Sequence, residues 1–184
     1  MVSIDSVINA LIYVALNNVD VTVADIQNAF LQAPSSEKHY VICWKYFGLE
    51  HEGKIALIRS ALYGEKLSGR ELWTHLRSCM TLLGFKSCQY DPDIWMREAT
   101  KTDVTYYWEY VLFYVDDCLV VFDHGEKMLR EDIGKYFKLK EKSIGLPDVY
   151  HCGKMRQVNI ENGSKAWAFS SSKYVVEAVN IVEA

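Results

Sequence analysis

Proline is nearly missing from this 184-residue chain, with three in all, while half of the residues are hydrophobic. That balance excludes a disordered, proline-rich tail. Long apolar runs are missing too. No uninterrupted stretch approaches the ~20 residues that cross a bilayer as a helix, so no membrane contact is expected. The first six residues, Met1 to Ser6, carry no basic residue, which argues against a secretory leader. Cysteine is sparse and unpatterned: Cys43, Cys79, Cys88, Cys118 and Cys152 are odd in number and include no Cys-x-x-Cys. This predicts reduced thiols in an intracellular protein and argues against zinc. No internal repeat, low-complexity stretch or linker breaks the chain, and its length suits one domain or a little more.

Positive charge is short over the first two thirds. From Met1 to Glu126, 10 Lys and Arg face 17 Asp and Glu, a net of −7. From Lys127 to Lys173 the balance is 10 against 5, a net of +5. An acidic region joined to a basic one suits metal ions at one end and phosphates at the other, although two differently solvated faces give the same counts.

β-branched and aromatic residues are plentiful, and they concentrate in Tyr106 to Asp123. There they flank one pair of adjacent carboxylates, Asp116 and Asp117. Such a pattern reads as a β-hairpin. Asp-Asp is a weaker turn former than Asn-Gly or Asp-Gly, so the pair is either a plain acidic turn or a rigidly held site for hard divalent cations.

The rest of the chain reads as follows. Ile4 to Leu16 has the spacing of an amphipathic helix, with Val7, Ile8, Leu11, Ile12, Ala15 and Leu16 as its apolar face. Val19 to Ile26 alternates as a strand ending near Asp25, and Gln27 to Leu31 is a tight turn or short helix. Pro34 to Lys38 is expected as a loop, followed by strands around Tyr40–Trp44 and Lys54–Ile58. A helix should run from Arg70 to about Leu83 on Leu72, Leu76, Cys79, Met80 and Leu83, with Gly84 as its C-cap. A strand at Ile94–Arg97 and a turn at Lys101–Asp103 lead into the hairpin. Beyond it come a helix over Gly125–Phe137, strands at Tyr150–Val158 and Lys165–Phe169 about an Asn162-Gly163 turn, and a last helix from Lys173. This order predicts an α+β domain, an antiparallel or mixed sheet with helices on one face. Asp25 and Asp116, 91 residues apart, would then converge.

Several blocks together resemble the copia-type (Pseudoviridae) retrotransposon reverse transcriptases. Tyr114-Val115-Asp116-Asp117 matches the Tyr-Val-Asp-Asp turn, and Ala24-Asp25-Ile26-Gln27-Asn28-Ala29-Phe30-Leu31 is similar to the first catalytic motif. Ala61-Leu62-Tyr63-Gly64 with Lys66, then Gly84-Phe85, Asp91-Pro92-Asp93, Tyr136 to Lys140 and Phe169-Ser170 follow in the family's order, over nearly the whole chain.

The resemblance implies the palm of a right-hand polymerase, with partial fingers and the start of the thumb. Residues 1–18 and 31–70 would be fingers and palm, 19–30 and 71–148 palm, and 149–184 primer grip and thumb. It implies an RNA-directed DNA polymerase, a nucleotidyltransferase that adds dNTPs to a primer 3′-hydroxyl on an RNA or DNA template, using two Mg²⁺ ions or Mn²⁺. Asp25, Asp116 and Asp117 would be catalytic and would hold the metals with the Ile26 carbonyl, since two ions about 3.5–4 Å apart activate the hydroxyl and neutralise the pyrophosphate. Gln27, Asn28, Ala29, Phe30, Lys66 and Lys140 (or Lys142) would contact the nucleotide, Phe30 excluding a 2′-hydroxyl. Arg70, Tyr114, Tyr150 and Gly153 would contact primer or template.

Read from residue type alone, Phe30 is an ordinary core residue, the lysines a solvated charge run, and His151-Cys152 a pair without further ligands at useful spacing. Glu65 and Leu67 depart from the family's pattern. The chain is expected to be a piece of a polyprotein, lacking finger strands and most of the thumb, located in the cytoplasm (in a virus-like particle) or the nucleus. A catalytically silent nucleic-acid-binding or assembly relic is the alternative, and a metal-dependent phosphodiesterase or cyclase is a third.

Overall fold

The computed structural model describes residues 1–151, 153–160 and 165–183; the expected Asn162-Gly163 turn and Cys152 lie outside these. In chain order the elements are α1 (Ile4–Asn17), β1 (Val21–Asp25), α2 (Ala29–Gln32), β2 (Pro34–Ile42), β3 (Ile55–Ser60) and α3 (Ser68–Leu82). There follow β4 (Lys86–Ser87), β5 (Ile94–Thr100), β6 (Tyr106–Tyr114), β7 (Asp117–Val121) and α4 (Gly125–Glu131). Last come β8 (Val149–Tyr150), β9 (Gly153–Asn159), β10 (Lys165–Ser170) and α5 (Ser172–Glu183). Two compact units emerge, Met1–Gln27 with Met80–Ala184, and Asn28–Cys79. The fold class is α+β, and every strand pair in it is antiparallel. No helix among the described residues is long and apolar enough to cross a membrane. Cys43, Cys79, Cys88 and Cys118 form no disulfide.

The larger unit is built on a five-stranded sheet in the order β1-β7-β6-β5-β4, with a smaller sheet β10-β9-β8. One continuous apolar cluster joins Val7, Ala10, Leu11 and Val14 of α1 to Val21, Leu112, Leu119 and Val121 of the sheet and to Tyr150 and Met155 of the smaller one. The intervening strand residues face the other way and meet α4. A Cβ added at Gly125 would come within 2.7 Å of Val120 Cγ1, and Met128, Leu129, Ile133 and Phe137 are buried. Helices therefore lie on both faces of the sheet, not on one as expected. Cys118 to Val121 shows why: a run apolar at every position is buried on both sides.

Three other expectations change in this unit. α1 buries Ser6, Val7, Ala10, Leu11 and Val14, leaving Ile8, Ile12, Ala15 and Leu16 exposed. A polar anchor rotates it: buried Asp91 accepts from Ser6 Oγ at 2.6 Å and Ser3 N at 3.1 Å. The helix after the hairpin stops at Glu131, because Asp132 and Gly134 are poor helix formers. A single 3₁₀ turn, Ile133–Lys135, then carries Phe137 to the core. The strand expected over Tyr150–Val158 divides into β8 and β9 at His151, whose φ is 50°.

The smaller unit carries the hairpin β2–β3, with Tyr40 opposite Leu57 and Ile42 opposite Ile55. β2 begins at Pro34, where a loop was expected. Pro34 pairs with Ser60, and the register then shifts before His39. In that gap a side chain replaces the ladder: the Glu71 carboxylate of α3 accepts from Ser36 N at 2.6 Å, Ser36 Oγ at 2.9 Å and Ser35 Oγ at 3.3 Å. Those bonds, the Ser36 amide first among them, hold its pKa below the usual carboxylate range. Trp44 lies past the end of β2, ahead of two short 3₁₀ turns at Lys45–Phe47 and Leu49–His51. α3 follows the expected spacing and stops at Leu82, with Gly84 just beyond it at φ 83°.

Candidate functional site

Asp25 closes β1 directly opposite Asp117, the first residue of β7. Asp117 also pairs with Tyr114, the last residue of β6, leaving Val115 and Asp116 as a two-residue turn. The Ile26 amide donates to the Asp116 carbonyl at 2.8 Å, so the turn is tied to the end of β1 and the expected convergence of Asp25 and Asp116 is realised. Strand alternation puts Asp25 and Asp117 on the face that carries Val21, Leu119 and Val121. Val115 has φ 55°, the left-handed region that a type II′ turn requires at its first central position and normally gives to glycine. A β-branched residue held there is backbone strain next to two carboxylates.

The segment Lys138–Gly145 runs along the free edge of β1. Val23 and Gly145 exchange backbone bonds at 2.8 and 3.1 Å, the Lys140 amide donates to the Asp25 carbonyl at 2.8 Å, and the Gln27 amide to the Lys138 carbonyl at 2.9 Å. Lys140 Nζ reaches Asp25 Oδ2 at 2.6 Å, and this pairing holds the lysine's pKa above its ordinary value. Asp25 Oδ1 is buried without a hydrogen-bond partner. Burial pushes the Asp117 carboxyl up to about 6, with the negative charges of Asp116 and Asp25 adding to it and Lys140 and His151 opposing it.

Among the described residues, no three His, Cys, Asp or Glu side chains already stand close enough to enclose an ion. The donor set nevertheless fits a hard divalent cation. Two facing carboxylates and a third in the turn repel one another, an ammonium stands in against Asp25, and Asp25 Oδ1 lacks a partner. Asp25, Asp116 and Asp117 are the residues that could hold such an ion. The Ile26 side chain is fully buried, so its contribution would come from the backbone.

On the same face the β8–β9 turn approaches the hairpin. The His151 ring lies 3.8 Å from that of Tyr114, centroid to centroid, and its Nε2 is 3.1 Å from the Val2 carbonyl oxygen. Tyr150 is a core residue: its ring is buried, and its hydroxyl donates to the Leu112 carbonyl at 3.0 Å, so its side chain is not presented to a ligand. Gly153 packs under Phe169, where an added Cβ would lie 2.0 Å from the ring.

Asn28, Ala29, Phe30, Lys66 and Arg70 fall in the smaller unit and are placed by contacts within it. Asn28 has φ 50°, Ala29 is buried, and Phe30 meets Tyr63 edge-on at 4.9 Å. Lys66 and Arg70 are exposed, as is Lys142 in the larger unit. Glu65 Oε1 lies 3.4 Å from His39 Nδ1, which gives a polar use to a position expected to be apolar. Of the predicted site, the structure thus gathers Asp25, Ile26, Gln27, Tyr114, Asp116, Asp117, Lys140, Tyr150 and Gly153 in one unit. Sequence reasoning missed Ser143, whose hydroxyl accepts from the Asp25 amide at 2.8 Å, and the tilted packing of the His151 ring against Tyr114. A serine in a Lys/Glu-rich run carries no signal of such a bond. Scanned against protein-family models, the chain matches none.

Proposed function

We propose that this chain is the palm region of a copia-type reverse transcriptase, an RNA-directed DNA polymerase extending a primer 3′-hydroxyl with dNTPs on an RNA or DNA template. The observation that carries the reading is the pairing of Asp25 with Asp117 beside the Val115–Asp116 turn, on an antiparallel sheet covered on both faces. Nucleotidyl transfer needs carboxylates on a support that does not yield when ions and phosphates arrive, and buried β6 and β7 supply one.

Asp25, Asp116 and Asp117, with the Ile26 carbonyl, would hold two Mg²⁺ ions, or Mn²⁺. Bound there, the ions would lower the pKa of the primer hydroxyl and neutralise the departing pyrophosphate. Lys140 Nζ balances the charge of Asp25 and, once a cation took its place there, would be released toward a phosphate oxygen. Half-buried Tyr114 and His151 would offer the surface on which a primer end rests, with buried Gly153 beneath Phe169 shaping the turn behind them. Phe30, braced by Tyr63, suits contact with a sugar edge, and exposed Lys66 and Arg70 suit phosphates. The chain would work beside other domains of a polyprotein, in the cytoplasm within a virus-like particle or in the nucleus.

The test is primer extension on an annealed RNA template with Mg²⁺ or Mn²⁺. Asp25→Asn and Asp116→Asn should each abolish incorporation while primer-template binding persists; extension surviving both substitutions sinks the assignment. A second reading, a catalytically silent nucleic-acid-binding or assembly relic, draws on the Lys140 ammonium already seated on Asp25 and on the excess of Lys and Arg from Lys127 to Lys173. It predicts salt-sensitive primer-template binding with no incorporation by the unmodified chain.

A further inference from the structure

Asp25 sits where the regular ladder of β1 gives out, and its backbone groups need partners beyond β7. They are supplied by the segment that lies along the free edge of β1. The Lys140 amide donates to the Asp25 carbonyl at 2.8 Å. The Asp25 amide donates not to a backbone carbonyl but to Ser143 Oγ, at 2.8 Å. The same hydroxyl donates its hydrogen to the Lys140 carbonyl at 2.7 Å. That carbonyl also accepts from the Ser143 amide at 2.9 Å, which closes the short helical turn Glu141–Ser143.

The result is a closed ring of directed bonds: Asp25 amide to Ser143 hydroxyl to Lys140 carbonyl, and Lys140 amide back to Asp25 carbonyl. A hydroxyl can complete this ring because it donates and accepts at one atom. With Lys140 Nζ on Asp25 Oδ2, three of the polar groups of Asp25 are engaged by this one segment, and only buried Oδ1 is left over.

We infer that Ser143 is a positioning residue: its hydroxyl fixes the backbone of Asp25, and so the aim of that carboxylate, from the strand edge opposite Asp117. The functional side of the inference rests on the polymerase reading; the structural side does not. Residues that orient a metal-holding group commonly cost 10–100-fold in activity or metal affinity when removed, without touching the ligand themselves. In Ser143→Ala the Asp25 amide loses its acceptor and the Lys140 carbonyl loses one of its two donors, so the carboxylate is free to drift.

The experiment compares the whole chain with Ser143→Ala and Ser143→Thr, the latter keeping the hydroxyl. Two readouts are taken: steady-state primer extension with Mn²⁺, and hydrogen exchange of the Asp25 amide by NMR. Expected for Ser143→Ala is a fall of about 10-fold in kcat with the KM values for primer-template and dNTP held, and an Asp25 amide exchanging at least about 10-fold faster. Ser143→Thr should restore both. An Asp25 amide that exchanges equally fast in the unmodified chain and in Ser143→Ala overturns the inference, and so does a threonine variant no better than alanine. Should Ser143→Ala not fold, a fast-exchanging Asp25 amide in the unmodified chain, beside a slow Ala24, overturns it equally. Absence of extension by the unmodified chain would remove the polymerase reading, and the Asp25 amide comparison would still decide the role of Ser143.

Discussion

The two units use the same kinds of residues to opposite ends. In the larger one, four consecutive residues of β7, Cys118 to Val121, are buried, and apolar clusters close over both sheet faces. In the smaller one, the face of β2–β3 that carries Tyr40 and Ile42 is open: these side chains are 62% and 61% exposed, and Trp44 and Tyr46 beyond them reach 70% and 88%. A two-stranded hairpin buries too little to be stable by area alone. What holds its first half is polar and local, the three bonds from Ser35 and Ser36 to Glu71. The carboxylate site belongs to the unit whose support comes from area.

The largest effect should follow from cutting into that area. Leu119 is fully buried in the cluster beneath the site, and Leu119→Ala is expected to cost about 2–5 kcal/mol in urea unfolding, from lost transfer energy plus a cavity. A value under ~1 kcal/mol would mean that the sheet is less closely packed than its burial implies. Gly153→Ala, forcing a methyl into the Phe169 ring, should cost ~1–3 kcal/mol by overpacking. Exchange mapping should find the β7 amides the slowest in the molecule and those of exposed Glu37 and Lys38 among the fastest.

Next in size is the polar clamp. Glu71 is depressed below its ordinary value of 4.5 chiefly by the bond from the Ser36 amide. Its contribution is therefore complete above about pH 4.5 and is lost as pH falls through the depressed value of the folded state. Glu71→Gln should cost ~1.5–3 kcal/mol at pH 7, the range for hydrogen bonds to a charged group, and should flatten the acid limb of stability against pH. An unchanged acid limb would show that other carboxylates carry it.

Smaller again, and of opposite sign, is Val115→Gly. Left-handed backbone costs a β-branched residue roughly 1–2 kcal/mol, part of which glycine gives back as unfolded-chain entropy. A net gain of about 0.5–1 kcal/mol by thermal denaturation is expected. A loss would mean that the half-buried Val115 side chain packs better than its backbone is strained.

How far the sequence goes depends on the range of the physics involved. The hairpin and the burial of Met128, Leu129, Ile133 and Phe137 follow from periodicity and short-range turn chemistry, whereas the meeting of Asp25 with the acidic turn followed only from the order of elements in the expected α+β sheet. The face of α1 does not: Ser6 outranks Ile8 because Asp91, 85 residues away, takes its hydroxyl. Helices on both sheet faces were hinted at by the unbroken apolar run of β7, which alternation alone reads as one-sided. β2 looked like a loop because the groups that order Ser35 and Ser36 sit on α3. Ser143 was illegible for the same reason, its partner being an amide 118 residues earlier. Local pattern predicts elements; single polar bonds between distant segments set their rotation and complete the site.

The smallest expected effect is the sharpest test of the contrast. Ile42 faces Ile55 across the hairpin, and both are more than half exposed, at 61% and 71%. If area supports only the larger unit, Ile42→Ser removes little that water has not already reached, and unfolding should shift by less than ~0.5 kcal/mol. The same truncation at Leu119 should be several times larger. A cost at Ile42 near that of Leu119 would show that the open face is covered in solution, and sedimentation of the chain would then reveal whether a second copy covers it. A negligible cost leaves Glu71 and the cross-strand ladder as the support of β2–β3, and a double variant, Ile42→Ser with Glu71→Gln, should then be no worse than Glu71→Gln alone.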